Sequence, residues 1–182
     1  MKADVPLPSF RGSRAAGLRG TKLSLYEGGV RMPFIISWPG HIPPGTVDSS
    51  SAMSAVDLIP SLASLSNISL PGDYRSDGID RSAVLLGKPA TRNKEMFWEY
   101  GRNDIAFRYP PPRDKSPNLA IRSEDWKLLM NSDSTDIQLY NIKEDKYETN
   151  NIQESEPAIV EKLKDKLLRW WDSLPKLTQP GS

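Results

Sequence analysis

At 182 residues the chain can hold one domain, or one domain with a small appendage, and its 24 Lys and Arg against 23 Asp and Glu leave a formal charge of +1, without the basic footprint of a nucleic-acid binder. Cysteine is absent and histidine occurs once, as His41, which excludes disulfides, thiolate metal sites, a cysteine nucleophile within this chain and a His-rich metal site. Sixteen prolines against 12 glycines argue for many turns and short elements rather than a helical bundle.

Taken in chain order, residues 1–26 are rich in Pro, Gly, Ser and Arg, show neither structural period, and read as loop. Met1 to Pro8 also lack the charged, apolar, small-residue order of a signal peptide, and no apolar run reaches the roughly 18 residues of a membrane span, so the chain by itself is expected to be soluble and unaddressed. Phe34, Ile35, Ile36, Ser37 and Trp38, bounded by Pro33 and by Pro39 and Gly40, fit a strand buried on both faces, as in a parallel sheet. From Ser54 to Leu65 the apolar positions Val56, Leu58, Ile59, Leu62 and Leu65 recur at helical spacing, with Asp57 as N-cap and Pro60 in the first turn. A polar, glycine-bearing stretch follows, and a boundary is expected near residues 88–93.

Beyond it the pattern changes to short strands at residues 95–100, 106–109, 118–122, 126–130 and 138–140, with Ser123, Glu124 and Asp125 as a turn, which predicts an antiparallel sheet. Residues 156–174 place Val160, Leu163, Leu167, Trp170 or Trp171, and Leu174 on one stripe, predicting an amphipathic helix. Ser155 is the expected cap, Pro157 the first turn and Pro175 the stop, while Glu161 with Lys164 and Asp165 with Arg169 support the wet face.

Common catalytic constellations fail one by one. A Ser-His-Asp triad would need His41, which follows the tight WPGH turn. Glu144 with Asp145 and Asp77 with Asp80 lie in polar turn-like stretches, where capping is the ordinary role. One segment carries more. From Leu18 it runs LRGTKLSLYEGGVRMPFIISWPGHIPPG, followed by AVDLIPSLASL from Ala55, AIRSEDWKLLM from Ala120 and LYNIKEDKYETNNI from Leu139. In order and spacing these resemble the late core motif, the following helix and the C-terminal sheet of the sulfatase family, an arylsulfatase-like branch of the alkaline phosphatase superfamily.

The resemblance implies an α/β fold: residues 1–90 as the end of a sulfatase-type catalytic domain, and 91–182 as a C-terminal subdomain of antiparallel sheet plus long helix. Lys22 matches the family lysine that contacts the substrate's sulfate. Glu27, Gly28, Gly29 and Arg31 match its supporting shell, the glycines allowing a positive-φ turn and Glu27 and Arg31 available for an internal charge pair. Family enzymes form a formylglycine nucleophile in a Cys or Ser, x, Pro, x, Arg motif and bind calcium through Asp and Asn residues. Here SWPGH ends in His41 instead of arginine, no Asp-Asn pair precedes Lys22, and Asp4 is not assigned to metal. No cofactor is therefore expected within this chain, and it is expected to be inactive alone.

A sulfated carbohydrate or aryl sulfate is the implied substrate of the whole enzyme, with no nucleic acid or membrane as partner. A second copy, or an N-terminal portion, is expected to cover the strand at 34–38. Trp98, Glu99, Tyr100, Asn103 and Arg108 are further candidates to wall the cleft. The family suggests a periplasmic, secreted or lysosomal setting. Two other readings stay open: a noncatalytic module binding anionic saccharides through Arg11, Arg14, Arg19 and Lys22, and part of a phosphonate or phosphodiester hydrolase of the same superfamily.

Overall fold

The structure is a computed structural model that describes residues 17–100 and 115–175. These divide into two compact units, one of residues 17–32, 97–100, 115–121 and 125–175, the other of 33–96 with 122–124.

The first unit is built on a four-stranded sheet, β1 (Met96–Glu99), β2 (Leu119–Ser123), β3 (Trp126–Met130) and β4 (Gln138–Asn141), in spatial order β1-β2-β3-β4. β3 and β4 are antiparallel, with Lys127 opposite Tyr140 and Leu129 opposite Gln138. Alternation along the strands sends two sets of side chains to opposite faces. Leu119, Ile121, Leu128, Met130 and Leu139 pack against Val160, Leu163 and Leu167 of a long C-terminal helix. Ala120, Leu129, Tyr140 and Ile142 pack instead against Leu25 and Tyr26. Residues 17–32 therefore belong with the C-terminal sheet, as the cover of its second face.

That helix, numbered α4 below, spans Pro157–Ser173. Among the described residues three short helices precede it: α1 (Glu27–Val30), α2 (Leu58–Leu65) and α3 (Ser82–Leu85). Pro157 occupies the first turn of α4 as expected, but Glu156 rather than Ser155 holds the cap position, and no side chain caps the helix. Its outer face carries the expected pairs, Lys164 to Glu161 at 3.9 Å and Arg169 to Asp165 at 2.9 Å. Phe97 of β1 stacks on Trp170, with ring centroids 5.1 Å apart. The strand expected at residues 106–109 lies outside the described residues.

In the second unit a 3-10 turn, Ala55–Asp57, leads into α2. Asp57 is fully buried. It accepts hydrogen bonds from the Ser54 N–H at 2.8 Å and the Ile79 N–H at 2.9 Å, and pairs with Arg92. Gly78 allows the approach, since a Cβ there would lie 2.2 Å from the Val56 carbonyl oxygen. Asp57 thus works less as a cap of α2 than as the tie between three segments, and the Ser61 hydroxyl extends it by accepting from the Arg81 N–H.

Two expectations fail in this unit. Residues 34–38 form no strand, and Phe34, Ile35, Ile36 and Trp38 are 56%, 92%, 37% and 39% exposed. A buried parallel strand needs neighbours on both edges and cover on both faces, and the described residues supply neither. Nor does the apolar stripe of α2 face a core: Val56, Ile59 and Leu62 are exposed, and Ser61 is the buried residue of that helix.

Candidate functional site

Lys22 sits at the tip of a closed loop. Its base is set where the Gly28 N–H donates to the Arg19 carbonyl at 2.7 Å. Inside it, the Ser24 N–H donates to the Thr21 carbonyl at 3.0 Å, leaving Lys22 and Leu23 as the two central residues of a tight turn. Leu23 takes φ +76°, the left-handed region that a type II turn demands at that position. Gly20, at φ +81°, lets the chain enter.

The expectation that Gly28 and Gly29 supply positive φ is incorrect. Both lie in α1. Their need is space: a Cβ on Gly28 would sit 2.5 Å from the carbonyl oxygens of both Arg19 and Gly20, and one on Gly29 would sit 2.0 Å from that of Ser24 and 2.6 Å from that of Thr21. No side chain fits between the loop and the helix it folds over. These contacts are all with backbone, so neither can be relieved by a rotamer change.

The expected charge pair between Glu27 and Arg31 also fails, because Arg31 is exposed while Glu27 is buried beneath the sheet. Glu27 pairs instead with Lys127 of β3, Nζ to Oε1 at 2.9 Å, and the same ammonium lies 3.0 Å from Oε1 of Glu148. The Glu27 N–H donates to Glu148 Oε2 at 2.6 Å. All three side chains are at least 98% buried, so two carboxylates and one ammonium share an interior site. Glu148, at φ +54°, is held above the usual carboxylate range by burial foremost and also by Glu27, against the pull of Lys127.

A second polar group ties down the other end of the loop. Arg19 donates from Nη1 to the Tyr140 hydroxyl and to the Glu148 carbonyl, each at 2.8 Å, and its guanidinium stacks 3.9 Å from the Tyr26 ring centroid. The Tyr26 and Tyr140 hydroxyls both donate to Gln138 Oε1, at 2.9 and 2.8 Å. Burial raises both phenols, Tyr140 to about 12, so they stay protonated donors. The Ser116 hydroxyl accepts from the Leu25 N–H at 2.8 Å. Against this framework the Lys22 side chain is exposed, and it makes no hydrogen bond or ion pair with the described residues.

Other sequence candidates scatter. His41 belongs to a turn in which its N–H donates to the Trp38 carbonyl, and its ring stacks on Trp38 at 4.0 Å. Asp145 caps a turn by accepting from the Thr149 and Asn150 N–H groups, and Asp80 accepts from the Ser82 N–H. Trp98 and Tyr100 pack beside the Leu25 and Tyr26 cluster. Asp4, Arg11, Arg14, Asn103 and Arg108 lie outside the described residues. The sequence reading missed Arg19 as a clamp, and Lys127 and Glu148 altogether. A lysine flanked by Trp126, Leu128, Leu129 and Met130 was the available signal, since a strand covered on both faces must give such a lysine a carboxylate.

Among the described residues no group of three or more His, Asp or Glu side chains is placed to hold a metal ion, so the calcium of the family has no fit there. Among the same residues no helix is long and apolar enough to cross a membrane.

Comparison with known proteins sets this loop in context. The family model described as N-sulphoglucosamine sulphohydrolase, C-terminal, matches residues 21–172. An N-acetylgalactosamine-6-O-sulfatase of Bacteroides thetaiotaomicron is 31% identical over 149 residues, covering 82% of this chain and 29% of that protein. Human arylsulfatase A is 41% identical over 88 residues, 48% of this chain and 17% of its own length. A solved structure connected with the metabolism of multiple glycosaminoglycans by Bacteroides thetaiotaomicron superposes with a TM-score of 0.66 at 28% identity, covering 85% of this chain and 32% of that one. Another, Ps i-CgsB in complex with k-i-k-neocarrahexaose, gives 0.64 at 26% identity, covering 83% and 31%. The chain thus spans about a third or less of the length of these relatives. With the match running from the Lys22 loop through the sheet and into the last turn of α4, the chain belongs to the sulfatase family, as a C-terminal part.

Proposed function

We propose that this chain forms the C-terminal wall of the cleft of a sulfuric ester hydrolase, and that Lys22 presents its ammonium to the sulfate group of the substrate. The observation that carries this reading is an exposed lysine, without a described partner, at the tip of a loop whose base is fixed by buried backbone and side-chain contacts. Cleavage of a sulfate ester builds negative charge on the departing and equatorial oxygens. An ammonium already held where that charge develops needs no reorganisation, and lowers the barrier by about 2–4 kcal/mol. Nucleophile and metal would come from polypeptide beyond this chain. The names of the Bacteroides relative and of the carrahexaose complex support a sulfated carbohydrate as the substrate class. The exposed Phe34, Ile35, Val56, Ile59 and Leu62 support burial of the second unit against the remainder of such an enzyme.

The test is a chimera in which this chain replaces the matching C-terminal part of the Bacteroides thetaiotaomicron sulfatase, assayed on sulfated N-acetylgalactosamine and on a phosphate monoester. Lys22→Ala is expected to lower kcat/KM for the sulfate ester by about 100- to 1,000-fold with an unchanged melting temperature. Unchanged turnover would refute the role of Lys22, and preference for the phosphate ester would move the reading to a phosphohydrolase.

A further inference from the structure

We propose that Arg19, Lys127 and Glu148 are positioning residues that clamp the two ends of the Lys22 loop, so that the ammonium meets an anion from a preset position. This deepens, and for its purpose rests on, the reading of Lys22 as an anion contact. Both ends of the loop are held to the sheet and its neighbours only a few residues from its tip. On the entering side Arg19 reaches the Tyr140 hydroxyl and the Glu148 carbonyl, both at 2.8 Å. On the leaving side the Glu27 N–H and carboxylate engage Glu148 and Lys127, at 2.6 and 2.9 Å. Glu148 therefore holds both ends at once, its carbonyl on one and its carboxylate on the other. Lys127 and Tyr140 stand opposite each other on neighbouring strands, so one sheet register sets both anchor points.

A cluster needed only for core stability would not have to converge on this loop. Sheet and α4 already share an apolar core on the opposite face. Three charged side chains, costly to bury unless fully paired, gather instead under the loop that carries the exposed Lys22. Held in this way the tip loses little freedom on meeting an anion, and the fraction of molecules competent to bind is high.

The experiment uses the 182-residue chain, isotope-labelled, with inorganic sulfate as the probe and Glu148→Gln and Arg19→Met as variants. Amide exchange at Ser24 and Gly28, whose N–H groups close the loop, is expected to quicken about tenfold in either variant while amides of α4 keep their protection. The Lys22 ammonium signal is expected to shift saturably with sulfate in the wild type, and with about fivefold weaker affinity in the variants. Equal slowing or quickening of exchange across loop and α4 would mean a merely structural cluster and overturn the proposal. So would loop exchange and sulfate affinity that both stay at wild-type values. If Glu148→Gln fails to fold, Arg19→Met, which leaves the buried charges intact, decides alone. Should the wild type show no Lys22 shift, the anion reading fails, and the exchange comparison separately decides the clamp.

Discussion

Replacing Lys127 by methionine removes the single cation from an interior site that holds two carboxylates. The ammonium lies 2.9 Å from Glu27 and 3.0 Å from Glu148. At an effective dielectric constant near 20 each contact is worth about 5–6 kcal/mol in attraction alone. Desolvating three charges consumes most of that gain, so the intact cluster is close to neutral for stability. The variant keeps the desolvation of Glu27 and Glu148 and leaves their mutual repulsion unopposed, which makes the expected loss about 3–5 kcal/mol. Urea unfolding followed by tryptophan emission measures it, because Trp126 packs against the core of the same unit. Asp165→Asn serves as a comparison: its pair with Arg169 has the same 2.9 Å spacing but side chains 71% and 68% exposed, and should cost no more than about 0.5 kcal/mol. A Lys127→Met loss below about 1 kcal/mol, indistinguishable from the surface pair, would refute the reasoning that this cluster is dry and mutually dependent.

The pH dependence of the same site has a definite sign. Burial holds the Glu148 carboxyl above its ordinary range, with Lys127, Glu27, Arg19, Tyr26 and Tyr140 around it. The folded state therefore binds that proton more tightly than the unfolded state, and its contribution is full below the unfolded value and lost as pH rises through the folded one. Wild type should accordingly gain stability relative to Glu148→Gln as pH falls towards the ordinary carboxylate range, by at most about 1.4 kcal/mol per pH unit, in parallel denaturation series; a difference that grows with rising pH would contradict this. Gly29→Ala places a methyl 2.0 Å from the Ser24 carbonyl oxygen, and a loss of more than about 2 kcal/mol in the same unfolding assay is expected. Asp57→Asn leaves Arg92 buried without its counter-charge, and should lower the unfolding free energy of the second unit by about 3 kcal/mol or more, read by circular dichroism.

Periodicity carried the reading where one residue's fate depends on near neighbours. The stripe Val160, Leu163 and Leu167 is buried as its spacing demands, and β3 and β4 emerge close to their expected limits. Phe34 to Trp38 shows where the method stops: an apolar run states what it needs, not whether the neighbours that would bury it are present. The stripe of α2 fails for the same reason. Motif likeness singles out Lys22, but not the framework beneath its loop, because Lys127 is 100 residues from Glu27 and Glu148 is 121. Glycines 28 and 29 were recognised as special for the wrong physical cause, since excluded volume between loop and helix leaves no trace in local spacing.

That exclusion divides the loop into two classes of position. At Gly29 the chain's ability to reach its native shape is at stake, whereas the side chain at 22 projects outward and contributes nothing to that shape. A screen scoring only yield or protease resistance would accordingly tolerate every substitution at 22 and reject nearly all at 29. Under the proposed anion contact Lys22 registers only in a chemical selection, so damage to folding and damage to that proposed role are expected to read as independent traits only seven residues apart.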